Sequence, residues 1–154
     1  MHPSLVDREI AVLIADDDPS VRLFMARALI DAGFRVLESS NSHEAAAKIQ
    51  SHPSGVDLVV ADIRMPGGSG LDLGVDLSAN NSNTDVLYVS GLIDSIAVES
   101  LRLRDPWAIL TKPFTASVLV ERVRNVLAAR ALRLARSSEV PPRAESPSEN
   151  IQSG

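Results

Sequence analysis

The sequence predicts an α/β fold, a doubly wound five-stranded parallel sheet with helices on both faces. Short apolar runs alternate along the chain with segments of helical periodicity, which is the pattern of consecutive βα units. The first of these runs, IAVLIA at residues 10–15, is apolar at every position, as a strand buried on both faces should be. A length of 154 residues suits one such domain with a short remainder.

Strand and helix boundaries follow from these runs and from the residues between them. The strands are expected at residues 10–15, 35–38, 57–61, 85–89 and 108–110. Asp18 caps the first helix, Pro19 stands in its opening turn, and Gly33 ends it. Asn41 and Glu44 have the spacing of a capping box at the start of the second helix.

The remaining helices follow the third, fourth and fifth strands. The five helices together are expected at about 19–32, 42–50, 71–77, 95–103 and 116–135. On the last helix Val120, Val123 and Leu127 recur on one apolar face. Arginines on this helix are interpreted as a solvated face, and they are Arg122, Arg124, Arg130, Arg133 and Arg136.

The chain divides into four segments by composition. We expect an N-terminal extension at 1–9, a folded domain at 10–128, an extension of the last helix at 129–136 and a disordered tail at 137–154. The tail is rich in Ser, Pro and Glu and poor in apolar residues, so it has too little surface to bury. The initiating Met1 and this tail favour a whole, short protein.

Composition excludes several classes of function. The net charge of −5 argues against nucleic acid as the main partner, since phosphate backbones attract clustered positive charge. The chain has no cysteine, and therefore neither a disulfide framework nor a thiolate zinc site. No run approaches the roughly 20 apolar residues of a membrane helix. We therefore expect a cytoplasmic protein that binds neither nucleic acid nor membrane.

Polar side chains follow four of the predicted strands at the point where each strand ends. Asp16 and Asp17 follow the first strand, Asp62 the third, Ser90 the fourth and Lys112 the fifth. In a doubly wound sheet the functional site lies at the carboxyl ends of the strands, near the point where strand order reverses. The topology therefore predicts that these five side chains converge at one edge.

The chemistry of this set points to phosphoryl transfer. Clustered carboxylates repel one another and need protons or a cation, and Mg²⁺ prefers oxygen ligands of this kind. A carboxylate beside Mg²⁺ can attack phosphorus to give an aspartyl-phosphate, here on Asp62. The Lys112 ammonium and the Ser90 hydroxyl are suited to the remaining phosphoryl oxygens.

Four segments resemble the receiver domains of two-component response regulators, which have a flavodoxin-like fold. They are VLIADDDPSVR at 12–22, DLVVADIRMPGGSGLDL at 57–73, YVSG at 88–91 and ILTKPF at 109–114. The resemblance covers about residues 10–128. It implies that Asp16 and Asp17 are the acidic metal pair and Asp62 the phosphorylated aspartate. It also implies that the backbone carbonyl of Arg64 completes the Mg²⁺ ligands.

The same resemblance assigns roles around the last strand. Ser90 matches the switch hydroxyl and Lys112 the lysine of the family pattern, and Pro113 stands where the family usually has a cis peptide. Ile109 departs from the pattern, because the family usually has Tyr or Phe three residues before the lysine. We expect output to run through the loop after Ser90 and the following helix instead of through an aromatic at position 109.

The resemblance also implies partners. The phosphoryl donor is expected to be a phosphohistidine on a histidine kinase or a histidine phosphotransfer protein, and phosphorylation is expected to change binding to an unknown downstream protein. The receiver is expected to stand alone and to catalyse only its own phosphorylation and dephosphorylation. Leu127, Leu132 and Ala135 form a possible homodimer seam.

Other interpretations of these residues are open. Asp16 to Asp18 can be read as an N-cap alone, and Asp62 as a turn former. A Mg²⁺-dependent phosphohydrolase with an aspartate nucleophile is an alternative function. Such enzymes usually carry a second aspartate two residues later, where this chain has Arg64. A purely structural interaction module is a third interpretation.

Overall fold

The computed structural model describes residues 9–52, 55–80, 83–91, 99 and 108–138. These residues contain five strands and four helices. The strands are β1 (Ala11–Ala15), β2 (Arg35–Ser39), β3 (Leu58–Asp62), β4 (Asp85–Ser90) and β5 (Ile109–Thr111). The helices are α1 (Pro19–Asp31), α2 (Ser42–Ser51), α3 (Gly70–Ala79) and α4 (Ala116–Ser138). Among these helices none has the length and hydropathy needed to cross a bilayer.

All five strands form one parallel sheet in the order β2-β1-β3-β4-β5. The chain moves outward from β1 to β2, crosses back to β3, and then continues in the opposite direction to β5. Strand order therefore reverses between β1 and β3, and the carboxyl ends of these two strands flank the crevice in which such sheets bind ligands. The predicted doubly wound α/β fold is confirmed.

Each face of the sheet carries its own apolar core. On one face Val12 and Val60 pack with Met25 and Leu29 of α1 and with Leu119 of α4. The opposite face is covered by α2 and α3, and its buried members are Leu13, Ala15, Ala45, Val56, Val59, Ala61, Met65, Leu73 and Leu77. β1 and β3 are buried at every position because both of their faces are covered, which is why their sequences are apolar throughout.

The predicted boundaries of the described strands and helices agree with the structure to within three residues, and the difference at the start of α3 has a local cause. β3 ends on Asp62, one residue later than expected, and α3 runs to Ala79 instead of residue 77. Ser69 and Asp72 form a full capping box at α3, which explains why that helix begins at Gly70. The helix expected at 95–103, the extension expected at 1–9 and the tail expected at 137–154 lie mostly outside the described residues, which include Glu9, the helical Glu99 and residues 137–138. Residues 137 and 138, expected in the tail, continue α4 to Ser138.

The capping box predicted for α2 is only half present. Asn41 accepts a hydrogen bond from the Glu44 amide at 2.8 Å, as expected. The Glu44 carboxylate instead accepts from the Ser40 amide at 3.3 Å and the Ser40 hydroxyl at 2.9 Å, one residue before the cap. Lys48 lies 3.0 Å from the same carboxylate, and these contacts lower the pKa of Glu44, with the Lys48 hydrogen bond as the largest cause.

The interpretation of the α4 arginines as a solvated face is wrong for two of them. Arg122 donates to the carbonyl of Ile109, and Arg130 donates to the carbonyl and the carboxylate of Asp57. The Asp57 carboxylate also accepts the amide of Ala11 at 2.9 Å, so one side chain joins β1, the start of β3 and α4. These contacts hold α4 against the amino-terminal edge of the sheet.

Replacing Arg130 with alanine is expected to lower the free energy of unfolding by about 1–3 kcal/mol, because it removes a largely buried ion pair with the Asp57 carboxylate. Both side chains of this pair are mostly buried, at 14% and 13% exposure. The matched control is Arg133→Ala, which removes a side chain that is 58% exposed and whose Nη2 donates to both carboxylate oxygens of Asp85. We expect the control to lose less than about 1 kcal/mol. Urea unfolding measures both, and equal losses would contradict the assignment.

Candidate receiver site

The structure brings the predicted side chains together at the carboxyl edge of the sheet. One carboxylate oxygen from each of Asp16, Asp17 and Asp62 lies within 4.8 Å of the others. The ammonium of Lys112 lies 2.8 Å from Asp62 Oδ2 and 3.8 Å from Asp16 Oδ2. Ser90 ends β4, the strand that pairs with β3, and its hydroxyl is buried. Three acids and one base therefore share a single crevice.

Asp16 is the most enclosed of the acids, with no exposed surface. Its Oδ1 accepts the amide of Asp18 at 2.9 Å. Its Oδ2 is buried and has no hydrogen-bond partner in the described part of the chain, since Lys112 at 3.8 Å is too distant for one. A buried carboxylate oxygen without a partner costs free energy, and a hard cation would relieve that cost.

Burial is the main reason why the pKa of Asp16 rises from 3.8 to about 6. The Asp18 amide opposes this rise by hydrogen bonding to the charged form, and the neighbouring charge of Asp62 adds to it. Lys112 opposes it in turn, through its positive charge. Asp16 therefore keeps its proton to a higher pH than an ordinary aspartate does, because its charge is neither solvated nor fully neutralised.

Asp62 is held from both sides at the end of β3. Its Oδ1 accepts the amide of Arg64 at 2.9 Å, and its Oδ2 accepts the ammonium of Lys112 at 2.8 Å. A Cβ on Gly70 would lie 2.5 Å from the carbonyl oxygen of Asp62, so only glycine fits where α3 begins. The carboxylate is thus fixed in direction while its side chain keeps 10% exposure, which leaves a route to it from solvent.

Lys112 gains charge stabilisation from the acids. Burial alone lowers its pKa, but the hydrogen bond and the charge of Asp62 raise it. Asp16 and Asp17 add smaller contributions in the same direction, and the net shift is upward. Lys112 is therefore a permanent cation at neutral pH.

Hydrogen bonds connect the residues at the carboxyl ends of β4 and β5. The Lys112 amide donates to the carbonyl of Ser90 at 2.7 Å, which ties the ends of β4 and β5 together. The Ser90 hydroxyl donates to the carbonyl of Gly91 at 3.0 Å. The Lys112–Pro113 bond is cis, as predicted. Ile109 is buried beneath this edge, 4% exposed.

Sequence reasoning missed Arg22, which supports the site from α1. Its Nη1 donates to the backbone carbonyl of Asp16 at 2.7 Å, and its Nε lies 3.6 Å from Glu38 on β2. The amide of Asp16 donates to the carbonyl of Ser39 at 3.1 Å, so the backbone of Asp16 is fixed on both sides. The feature of the sequence that could have indicated this role is the position of Arg22, one turn into the helix that follows Asp16 and Asp17.

Known proteins resemble this chain in sequence and in fold. The family of the response regulator receiver domain matches residues 12–124. The chain belongs to this family. The receiver protein CpdR from Brucella abortus is 29% identical over 119 residues, which cover 77% of this receiver and 97% of CpdR. A solved receiver protein from Sinorhizobium medicae is 31% identical with a TM-score of 0.67, covering 80% of this receiver and 98% of that chain.

Other relatives are larger proteins that contain a matching region. DctD from Pseudomonas aeruginosa, named a transcriptional regulatory protein of C4-dicarboxylate transport, is 32% identical over 130 residues. Those residues cover 83% of this receiver but 27% of DctD. The receiver spans about half the length of two further regulators from that organism, 54% of AruR and 51% of PhoB.

The free energy of unfolding should depend on pH through Asp16. A pKa that is raised in the folded state favours the protonated form, so this contribution is complete below pH 3.8 and is lost as the pH rises through about 6. Asp16→Asn mimics the protonated form at every pH. In EDTA, we expect the variant to match wild type near pH 4 and to exceed it by about 1–3 kcal/mol at pH 7.

Urea unfolding at several pH values measures this difference. An Asp18→Asn variant, which keeps a capping side chain on an exposed residue, is the control and should track wild type throughout. A difference between wild type and Asp16→Asn that stays constant from pH 4 to 7 would contradict the burial argument.

Proposed function

We propose that this receiver accepts a phosphoryl group on Asp62 from a phosphohistidine donor, with Mg²⁺ bound beside it, and that phosphorylation changes its affinity for a partner protein. The observation that carries the proposal is the Asp62 carboxylate, held by Lys112 at 2.8 Å and flanked by two further acids. A surface turn former would need neither the lysine nor the acids.

The Mg²⁺ ligands in this proposal are Asp16, Asp17, Asp62 and the backbone carbonyl of Arg64. The all-oxygen donor set and the unpartnered Oδ2 of Asp16 fit a hard divalent cation. Bound there, Mg²⁺ would supply charge neutralisation for the entering phosphoryl group. The amide of Arg64 already donates to Asp62 Oδ1, so the backbone at this residue turns back toward the site.

The reaction is an in-line transfer between two nucleophiles. An oxygen of Asp62 forms the new O–P bond, the N–P bond of the phosphohistidine breaks, and its electron pair returns to the imidazole nitrogen. Lys112 then moves its hydrogen bond from the carboxylate to a phosphoryl oxygen. The Ser90 hydroxyl turns from the Gly91 carbonyl to another phosphoryl oxygen.

The partners proposed are a histidine kinase or a phosphotransfer protein upstream and a binding protein downstream. A relative named sensor kinase CckA, from Brucella abortus, carries a region 29% identical to 75% of this receiver, so such sequences occur within kinases. The proposed location is the cytoplasm, in keeping with two relatives, AruR and PhoB, that are named transcriptional regulatory proteins. The receiver acts as a signalling module and modifies only itself.

Asp62→Asn is expected to abolish acid-labile phosphate incorporation from acetyl phosphate in the presence of Mg²⁺, because the nucleophilic oxygen is replaced by an amide. The control is Asp18→Asn, which changes an exposed carboxylate that follows Asp17 in the sequence but is not part of the cluster, and this variant should be labelled like wild type. Labelling is measured by intact mass and by its loss in alkali. Full labelling of the Asp62→Asn protein would refute the assignment.

Asp17→Asn is expected to weaken Mg²⁺ binding by at least about tenfold, because it removes one of the charges that attract the ion. Titration calorimetry measures the dissociation constant directly, without any phosphodonor. Asp18→Asn again serves as the control. An unchanged dissociation constant in Asp17→Asn would remove this residue from the ligand set.

A further inference from the structure

A small apolar cluster lies directly beneath the receiver site, on the face of the sheet covered by α3. Its buried members are Ile63 and Ile109, and Leu71 and Tyr88 pack against them. Ile63 follows Asp62 in the chain, and Tyr88 is the one tyrosine in the sequence. The cluster therefore touches the phosphorylated strand through one member and contains an aromatic side chain that the mechanism does not use.

The hydroxyl of Tyr88 occupies space that α3 leaves open at a glycine. A Cβ on Gly74 would lie 1.8 Å from Tyr88 Oη and 3.0 Å from Cζ, so any other residue at position 74 would collide with the ring. Glycine inside a helix is unfavourable by roughly 0.5–1 kcal/mol relative to alanine. The absence of a Cβ at Gly74 therefore leaves the space that the tyrosine hydroxyl occupies, and this space is called the seat of the hydroxyl.

Tyr88 is connected to both side chains that must move in the reaction. It stands two residues before Ser90 on β4, with its side chain on the same face of the sheet. In the sheet register it lies opposite Ile109, three residues before Lys112 on β5. Two residues along β4 separate the ring from Ser90, and three residues along β5 separate its neighbour Ile109 from Lys112, so a displacement of either strand end toward Asp62 acts close to the ring.

We propose that Tyr88 transmits the state of Asp62 to α3, with its hydroxyl seated at Gly74 in the unphosphorylated receiver and displaced from that seat after phosphorylation. The proposal rests on the proposed function, because it requires phosphorylation of Asp62. The aromatic ring that this receiver lacks at position 109 stands on the neighbouring strand instead, opposite Ile109. Displacement changes the surface of α3, where Val75, next to Gly74, is 67% exposed.

Selective ¹³C labelling of the tyrosine ring tests this directly, because a single tyrosine gives a single set of ring signals. Spectra are recorded with Mg²⁺ alone and after addition of acetyl phosphate, and the phosphorylated fraction of each sample is measured by intact mass. We expect a second set of ring signals whose area equals the phosphorylated fraction. In Asp62→Asn the original set should persist unchanged.

The outcomes separate the two proposals. Full phosphorylation with unchanged ring signals would overturn the role of Tyr88 and leave the proposed function intact. Absence of phosphate on wild type would overturn both. New signals that appear equally in Asp62→Asn would reflect the phosphodonor itself and would also overturn the role of Tyr88.

Gly74→Ala provides an independent test, because it fills the seat without touching the receiver site. We expect its unphosphorylated ring signals to lie at the phosphorylated position of wild type and to move little on phosphorylation. Ser78→Ala, an exposed change on the same helix, should behave as wild type. Gly74→Ala signals at the unphosphorylated position would contradict the proposal. If this variant does not fold, the wild-type comparison still decides.

Discussion

The ion pair between Lys112 and Asp62 is the interaction on which the site depends. Three carboxylates meet at the end of two neighbouring strands because the topology brings those strand ends together. At an effective dielectric constant of about 20, two like charges 4 Å apart repel by about 4 kcal/mol. Lys112 offsets part of this repulsion at 2.8 Å from Asp62, but lies too far from Asp16 to bond it. The three acids are therefore held together while the described side chains around them supply less positive charge than negative charge.

The two edges of the sheet differ in how completely their polar side chains are paired. At the carboxyl edge, side chains are enclosed yet incompletely paired, as the orphan oxygen of Asp16 shows. At the amino edge, Asp57 is paired with the Ala11 amide on one oxygen and with Arg130 on the other. Unsatisfied groups at one end are tolerated because the other end and the two cores supply stability.

Most of the fold could be predicted from the sequence, because the apolar runs, the capping residues and the order of the elements all indicate the same arrangement. Apolar runs marked the buried strands, and the rule for parallel sheets placed Asp62 and Lys112 together before any distance was known. Arg22 and Arg130 were not predictable in the same way. Each donates to a backbone carbonyl, which leaves no trace in the sequence, and the carboxylates that they also contact, Glu38 and Asp57, are distant in the sequence. The seat at Gly74 was hidden for a related reason, because it depends on where a ring from another element points.

The contacts that hold α4 to the sheet bear on which part of the fold responds to changes at the carboxyl edge. The helix is 23 residues long, and its arginines bond to β5 near one end and to the starts of β3 and β4 near the other. A helix held to the strands at several points is expected to resist moving independently of the sheet. The opposite layer, in which α3 begins against the backbone of Asp62, is then the one expected to respond to small displacements at the carboxyl edge.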